Sequence, residues 1–211
     1  MNYFWLNKER NKDLIIFMNG WGMDEEIIKH LDYRSFDILM INDYRSFDNK
    51  LLQYDFKTYN KKYLICWSMG VYIAGQYSRF FNQFNKKIAI AGTQKAIDNI
   101  YGIPDKIYNY TIKHFSPESA DKFIKNMFLD EIKEFKIKKN IEDLKEELIS
   151  IQNFSNDGFI EFDKVIIPKK DIIIPYKNQL NYWKNQPVEI VELNAAHYVF
   201  NHYASMDDII C

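Results

Sequence analysis

An abrupt change from an apolar strand to an apolar helix constrains this chain more than any other feature. The run Tyr63-Leu64-Ile65-Cys66-Trp67 is continuous and apolar, and Ser68-Met69-Gly70 follows it directly. From Val71 to Phe81 the composition and the spacing of apolar residues favour a buried helix. Only seven glycines occur in 211 residues, so a glycine at this turn is informative. The segment predicts a strand that ends in a sharp turn and leads directly into a helix.

Further apolar runs recur along the chain, and they are continuous rather than alternating. Such runs are typical of strands that are covered on both faces of a parallel sheet. The other predicted strands are Leu14 to Met18, Phe36 to Ile41, Lys87 to Ala91, Lys164 to Ile167 and Val188 to Leu193. Helical signals fall between them, after the capping residue Asp24 and from Asn178 to Trp183.

The segment between about Pro104 and Phe154 differs in composition, because it is rich in charged residues and contains no strand-like apolar runs. Ser116-Pro117-Glu118 predicts the start of one helix, and Asn140 predicts the start of a second. A strand–helix series interrupted in this way predicts an α/β fold, with a mostly parallel sheet, helices on both faces and a small helical lid. We expect a single domain over 1–211 with the lid insertion at about 104–154.

Composition and charge exclude several classes of protein. Hydrophobic residues make up 47% and charged residues 27%, a composition that excludes a disordered chain. The net charge of -1 lacks the excess of positive charge that is typical of a general nucleic-acid binder. No apolar run approaches the length of a membrane span, and the amino terminus lacks a signal-peptide core, so we expect a cytoplasmic protein. Cys66 and Cys211 lack metal-ligand spacing and are expected to be free thiols. No phosphate-binding glycine loop or metal cluster is visible, so we expect neither cofactor nor metal, and we expect a monomer.

The chemistry predicted for the turn is nucleophilic. A serine at a tight strand-to-helix turn is pushed out of the sheet surface, as in the Gly-x-Ser-x-Gly nucleophile elbow. Here the pentapeptide is Cys66-Trp67-Ser68-Met69-Gly70, in which the second glycine is present and a small cysteine replaces the first. We predict that Ser68 is a nucleophile; the alternative is a buried turn serine.

A serine hydroxyl needs a base to activate it, and four histidines compete for this role. His30 and His114 precede the strands that would have to deliver a base. His197 follows the last predicted strand on a short loop of small residues, and His202 lies five residues later, where a terminal helix is expected. We predict His197 as the base, with His202 as its main competitor and a structural histidine as the alternative.

The acid that orients the base is expected between the serine and the histidine in chain order. Asp171 lies just beyond the carboxyl end of the predicted strand 164–167, where catalytic groups collect in open α/β sheets. Asp157 and Asp163 come before or at the start of that strand, at the wrong edge of the sheet. We predict Asp171 as the acid; the alternative is an ordinary loop aspartate.

A tetrahedral intermediate also needs two N–H donors for its oxyanion. The amide of Met69 directly follows the nucleophile and supplies the first. Gly20-Trp21-Gly22 follows the strand 14–18, and its glycines would let the backbone approach a substrate, so we predict the Trp21 amide as the second donor. The alternative is a simple tight turn.

These residues, with others, resemble the BioG type of pimeloyl-ACP methyl ester esterase, within the α/β hydrolases. The matching segments extend through most of the chain: Asn19-Gly20-Trp21-Gly22-Met23, Trp67-Ser68-Met69-Gly70-Val71, Gly92-Thr93, Ile97-Asp98, Gly102-Ile103-Pro104, Asp171-Ile172-Ile173-Ile174-Pro175, Asn178-Gln179, Tyr182-Trp183 and His197-Tyr198. By position, Ser68, Asp171 and His197 match the triad of that family. Departures are Cys66, the pair Lys169-Lys170 where glycine is commoner, and Gln94 and Ala96 where proline is frequent.

The resemblance implies an enzyme that removes the methyl group of pimeloyl-ACP methyl ester in biotin precursor synthesis, with an acyl-carrier protein as partner. Gly20 and Trp21, with the insertion residues Phe115, Phe123, Met127 and Phe128, are candidates to line the substrate channel. The alternative for these aromatic residues is the core of the lid itself. Two other functions stay open: a broad carboxylesterase or thioesterase on small acyl substrates, and a non-catalytic binding protein with the same fold.

Overall fold

The structure, a computed structural model, describes residues 1–129, 135–155 and 158–211. Within these residues a seven-stranded sheet runs through the molecule. Its strands are β1 (Asn2–Asn7), β2 (Asp13–Met18), β3 (Phe36–Asn42), β4 (Lys61–Trp67), β5 (Lys86–Ile90), β6 (Lys164–Pro168) and β7 (Glu189–Leu193). Their order across the sheet is β1-β3-β2-β4-β5-β6-β7. All neighbours pair in parallel except β1, which pairs antiparallel with β3 in an edge position.

Helices and turns connect the strands. The α-helices are α1 (Met69–Ile73), α2 (Ser78–Phe81), α3 (Asp105–Lys113), α4 (Pro117–Phe128), α5 (Ile141–Asn153), α6 (Tyr176–Trp183) and α7 (Met206–Ile210). We refer to residues 104–154, which carry α3, α4 and α5, as the helical insertion; its residues 130–134 lie outside the described part of the chain. None of the described helices is long and apolar enough to cross a membrane.

Both faces of the sheet are buried, which explains the continuous apolar runs. Successive side chains of β2 alternate between two apolar layers: Leu14 and Ile16 pack in one, and Ile15 and Phe17 in the other. The first layer contains residues of α1, α3, α5 and α6, and the second contains residues of α7 and the last turn of α4. The predicted fold, with a mostly parallel sheet and helices on both faces, is confirmed.

Local expectations fail where tertiary packing decides the outcome. The helix expected after Asp24 is only a single 3-10 turn, Glu25–Ile27, and Ile28 and Leu31 are buried in the turns that follow it. The helix expected from Val71 to Phe81 begins at Met69 and is divided by the 3-10 segment Ala74–Tyr77.

The strand β1 was not predicted, and α3 lies within the predicted helical insertion although no start signal was assigned to it. An edge strand that is mostly half-exposed carries no continuous apolar run.

Candidate active site

The turn after β4 has the strained geometry that the sequence predicts. Ser68 adopts φ 55° and ψ -121°, a left-handed backbone conformation that is rare for a residue with a side chain. The Ser68 amide donates a hydrogen bond to the Ile90 carbonyl at 2.9 Å, which ties the turn to β5. A Cβ on Gly70 would lie 2.3 Å from the Met18 carbonyl oxygen, so α1 can approach β2 only because this position is glycine.

The first residue of the elbow, Cys66, does not disturb this arrangement. Its side chain is fully buried in the apolar layer that contains α1, and burial raises the pKa of its thiol. Gly20 lies on the other side of the turn, where an added Cβ would be 3.3 Å from Ser68 Cβ. Gly20 therefore packs against the serine turn, and it is not among the residues that line the cavity beside Ser68.

Three side chains from three strand ends meet at the carboxyl edge of the sheet. Ser68 Oγ lies 2.9 Å from His197 Nε2, and His197 Nδ1 lies 2.7 Å from Asp171 Oδ2. All three residues are buried. When Nδ1–H donates a hydrogen bond to Asp171 Oδ2, Nε2 is left as an acceptor for the serine hydroxyl. The geometry matches that of a serine, histidine and aspartate triad.

The carboxylate of Asp171 is fixed by four donors. Its Oδ1 accepts from the amides of Ile173 at 2.8 Å and Ile174 at 3.1 Å. Its Oδ2 accepts from His197 and from Gln179 Nε2, the latter at 2.8 Å. Gln179 is fully buried on α6 and was missed by the sequence reasoning as a functional residue, although it belongs to a matched segment. Its amide also donates to the Ile174 carbonyl at 2.7 Å, so α6 and the acid loop form one unit.

None of the competing titratable residues takes the place of His197 or Asp171 in the contacts of the described residues; His114 lines the cavity beside Ser68, and the others lie elsewhere. His30 and His202 are exposed, and His30 Nε2 lies 3.0 Å from the Phe200 carbonyl oxygen. His202 ends the 3-10 helix Phe200–His202 instead of lying on α7. Asp163 accepts a hydrogen bond from the Lys87 amide at 2.7 Å at the amino end of β6. Asp157, the other acid considered, lies outside the described residues.

The two predicted oxyanion donors belong to residues that line the same cavity as Ser68. Trp21 and Met69 both line it, and within the described residues neither backbone N–H has a hydrogen-bond acceptor. The Met69 amide opens α1, where the first N–H groups of a helix have no partner within the helix. The Trp21 indole is held separately, because its Nε1–H donates to the Leu144 carbonyl at 2.9 Å. The role of the two backbone amides as oxyanion donors stays a prediction.

The cavity has a volume of about 300 Å³, at the low end of the range for small-molecule sites. Its walls are mostly apolar and come from the helical insertion, the Trp21 loop and the loop after Asp171. They are formed by Trp21, Met69, Ile103, Ile107, Tyr108, Phe123, Leu148, Ile172 and Ile173. Polar side chains also line it, namely those of Thr111, His114, Ser119, Lys122 and Asn126. Except for Trp21, Met69 and Phe123, these residues were not predicted to line the site, because they come from α3, α4, α5 and two loops that only the tertiary structure brings together.

Of the four insertion residues proposed to line a channel, the structure brings only Phe123 to the cavity. Its ring lies edge-on to Trp21 at 4.9 Å, and Phe115 packs on the same indole at 5.5 Å without lining the cavity. Met127 and Phe128 are buried in the opposite apolar layer.

The last turn of α4 instead supports the loop of the base. The Met127 carbonyl accepts from the Tyr198 amide at 3.0 Å, and the Phe128 and Tyr198 rings lie 4.7 Å apart. Phe123 packs against both apolar layers, whereas Met127 and Phe128, one turn further along α4, are buried only in the layer that contains Tyr198.

No group of three or more metal-ligating side chains occurs within residues 1–129, 135–155 and 158–211. The contact of Ser68, His197 and Asp171 is an arrangement suited to attack by an activated hydroxyl on a carbonyl carbon.

Comparison with known proteins places the chain in a family. A profile of the family described as pimeloyl-ACP methyl esterase BioG matches residues 1–209. The chain is also 34% identical over 198 residues to a curated protein of Bacteroides fragilis (strain 638R) named malonyl-[acyl-carrier protein] O-methyltransferase. The match covers 89% of this chain but 40% of that protein, so the chain spans well under half of the length of this relative.

Solved structures share the fold. BioG from Haemophilus influenzae superposes with a TM-score of 0.87 at 23% identity, and each chain is fully covered. An esterase from Exiguobacterium antarcticum gives a TM-score of 0.72 at 15% identity, with 98% of this chain and 90% of that one covered. At such identities the likeness establishes the α/β-hydrolase fold alone. The family match over nearly the whole chain goes further, and it confirms the resemblance seen in the motifs: the chain belongs to the pimeloyl-ACP methyl esterase BioG family.

Proposed function

We propose that the chain is a serine esterase that hydrolyses the methyl ester of pimeloyl-[acyl-carrier protein] to pimeloyl-ACP and methanol in biotin synthesis. The observation that carries the reaction type is the contact of Ser68, His197 and Asp171 beside an apolar cavity. Family membership supports the substrate.

In the proposed mechanism Ser68 Oγ attacks the ester carbonyl carbon while His197 Nε2 accepts the hydroxyl proton. The oxyanion that forms receives hydrogen bonds from the amides of Met69 and Trp21. The imidazolium, stabilised by Asp171, returns the proton to the methoxy oxygen, and methanol leaves. Water then attacks the acyl-enzyme by the same route and releases the free carboxylate, so that the serine is restored.

The cavity supports a fatty-acid-like chain as substrate. Its apolar walls suit methylene groups, and Ile107, Tyr110 and Ile172 line it while remaining more than half exposed. Exposed apolar side chains around the opening of a cavity are typical of a surface that binds another molecule. We interpret the helical insertion as the lid of a single domain, with the acyl chain lying between it and the sheet edge.

The partner we propose is the acidic carrier protein, and Lys122 beside the cavity is a candidate contact. Raising the salt concentration from about 50 mM to about 500 mM should slow hydrolysis of the carrier-bound ester more than that of a small methyl ester. Lys122→Ala should raise KM for the carrier-bound ester only. Lys12→Ala is the matched control, since Lys12 is exposed just before β2, at the opposite edge of the sheet. Equal salt sensitivity for the two esters would refute a carrier-binding surface.

The decisive experiment follows methyl pimeloyl-ACP by mass spectrometry with wild type and Ser68→Ala. We expect loss of one methyl group with the wild type and no turnover with the variant. Faster turnover of small esters or thioesters than of the carrier-bound ester would favour the broad esterase. Absence of turnover together with absence of fluorophosphonate labelling would leave a binding protein.

We also propose that the protein is a cytoplasmic monomer. Both cysteines lack a disulfide, which suits a reducing compartment. Light scattering after size exclusion should give the mass of one chain, and a dimer mass would contradict this.

A further inference from the structure

A buried charge in the helical insertion has no part in the mechanism described so far. Glu147 lies on α5, and its side chain is completely buried. A buried carboxylate is costly unless it is paired and hydrogen-bonded. Here Oε2 accepts from Lys139 Nζ at 2.7 Å and from the Gly22 amide at 3.3 Å, while Oε1 accepts from the Tyr44 amide at 3.0 Å. Both oxygens are therefore occupied.

The Gly22 contact connects this carboxylate to the proposed oxyanion site. The Gly22 N–H belongs to the peptide that joins Trp21 to Gly22, and the Trp21 N–H belongs to the peptide just before it. Anchoring one peptide plane restricts the rotation that sets the direction of the next. The loop needs such a restraint, because Gly22 has φ 71° and glycine explores this conformation freely.

A second tether links the same loop to the same helix. The Trp21 indole N–H donates to the carbonyl of Leu144, three residues before Glu147 on α5. A Cβ on Gly22 would lie 2.7 Å from Leu144 Cδ2, so helix and loop are in close contact. Helix α5 thus contacts the Trp21–Gly22 loop in three ways: through the Glu147 carboxylate, through the Leu144 carbonyl and by packing of the Leu144 side chain.

We propose that Glu147 is a positioning residue for the oxyanion hole, whose carboxylate holds the Trp21–Gly22 peptide so that the Trp21 N–H points at the developing oxyanion. The inference rests on the proposed function. It assigns the helical insertion a part in transition-state stabilisation in addition to covering the substrate.

The charged surroundings of Glu147 include one cation in direct contact. Burial raises the pKa of this group, and Lys139 Nζ acts in the opposite direction. Asp43 on the neighbouring loop lies 3.7 Å from the same ammonium group and also pairs with Arg45 at 2.7 Å. Lys139 therefore stands between the two acids and compensates both.

The test compares Glu147→Gln with Asp143→Asn. The glutamine keeps the shape but presents one acceptor oxygen, so one of the two amides loses its acceptor. Asp143 lies on the same helix and forms an ion pair with Arg45, and its hydrogen bonds and ion pairs within the described residues do not involve residues 19–24. Kinetics on a small methyl ester and the rate of fluorophosphonate labelling are measured for each variant, with thermal unfolding as the check on folding.

For Glu147→Gln we expect kcat to fall about 10- to 100-fold, a partial loss of one oxyanion donor, with KM changed less than about twofold. The labelling rate should fall in parallel, and Asp143→Asn should leave all three quantities near wild type. Unchanged kcat in folded Glu147→Gln, a change in KM alone, or an equal loss in Asp143→Asn would each overturn the inference.

If the variant does not fold, hydrogen exchange on the wild type tests the contact between Glu147 and the Gly22 amide. The Gly22 amide should be protected, and exchange at the rate of an open loop would refute the contact. Failure of the proposed function is recognised separately, because it would leave the wild type unlabelled at Ser68.

Discussion

The substitution Asp171→Asn tests the proposed triad most sharply, because the structure dictates where the new amide must lie. Oδ1 faces two N–H donors, those of Ile173 and Ile174, so the asparagine must place its carbonyl oxygen there. Its NH₂ group then occupies the position of Oδ2, where it meets His197 Nδ1 and the NH₂ of Gln179. A donor facing Nδ1 selects the imidazole tautomer with the proton on Nε2. That tautomer cannot accept the proton of Ser68.

The expected effect is large. Reversal of the tautomer in a serine triad lowers kcat by about 10⁴-fold, which corresponds to about 5.5 kcal/mol of barrier. Two donors left facing each other at Gln179 add to the loss. The assay is kcat on a small methyl ester, with circular dichroism to show that the variant folds.

Asp163→Asn is the matched control, since Asp163 lies at the opposite end of β6 and binds Lys87. It should keep wild-type kcat. Retention of more than about a tenth of the activity in folded Asp171→Asn would refute the assigned role, because tautomer reversal requires a far larger loss. An equal loss in the control would do the same.

Three further predictions follow from packing and burial. Gly70→Ala places a Cβ 2.3 Å from a backbone oxygen and should lower the free energy of unfolding, measured with urea, by about 1–3 kcal/mol. An unchanged urea midpoint would contradict this geometry. Met127→Ala should cost about 2–5 kcal/mol of stability because the side chain is fully buried, yet leave KM for a small ester unchanged; a raised KM would restore Met127 to the channel. Burial raises the pKa of the Cys66 thiol while Cys211 is exposed, so a disulfide reagent at pH about 8 should titrate one thiol in the native protein and two in urea. Two fast native thiols would show that β4 is accessible.

The central strands and the serine turn could be predicted from the sequence for a simple reason. Strands β2, β3, β4 and β6 are covered on both faces, so burial demands continuous apolar runs that are visible in the residues themselves. The ends of parallel strands share one edge of the sheet, so chain order alone brings Ser68, Asp171 and His197 to the same place. Their contacts agree with that expectation, while their catalytic roles stay predictions.

Features that depend on contacts between distant segments could not be predicted. The edge strand β1 is defined by pairing with β3, and its mixed polarity hides it. Met127 and Phe128 have the character of channel residues, but the orientation of α4 turns them towards Tyr198. Spacing on a helix says which side chains share a face, but not what that face meets.

The sequence by itself therefore determined the features that depend on local steric requirements. These are the apolar runs of the buried strands, the glycine where α1 meets β2, and the reactive residues just beyond the strand ends. Only the tertiary structure decided how the helical insertion meets the sheet edge. Glu147 shows the difference, because in the sequence it is one acid in a charged helix. It becomes a buried anchor only through amides more than a hundred residues away, and no local pattern encodes so distant a partner.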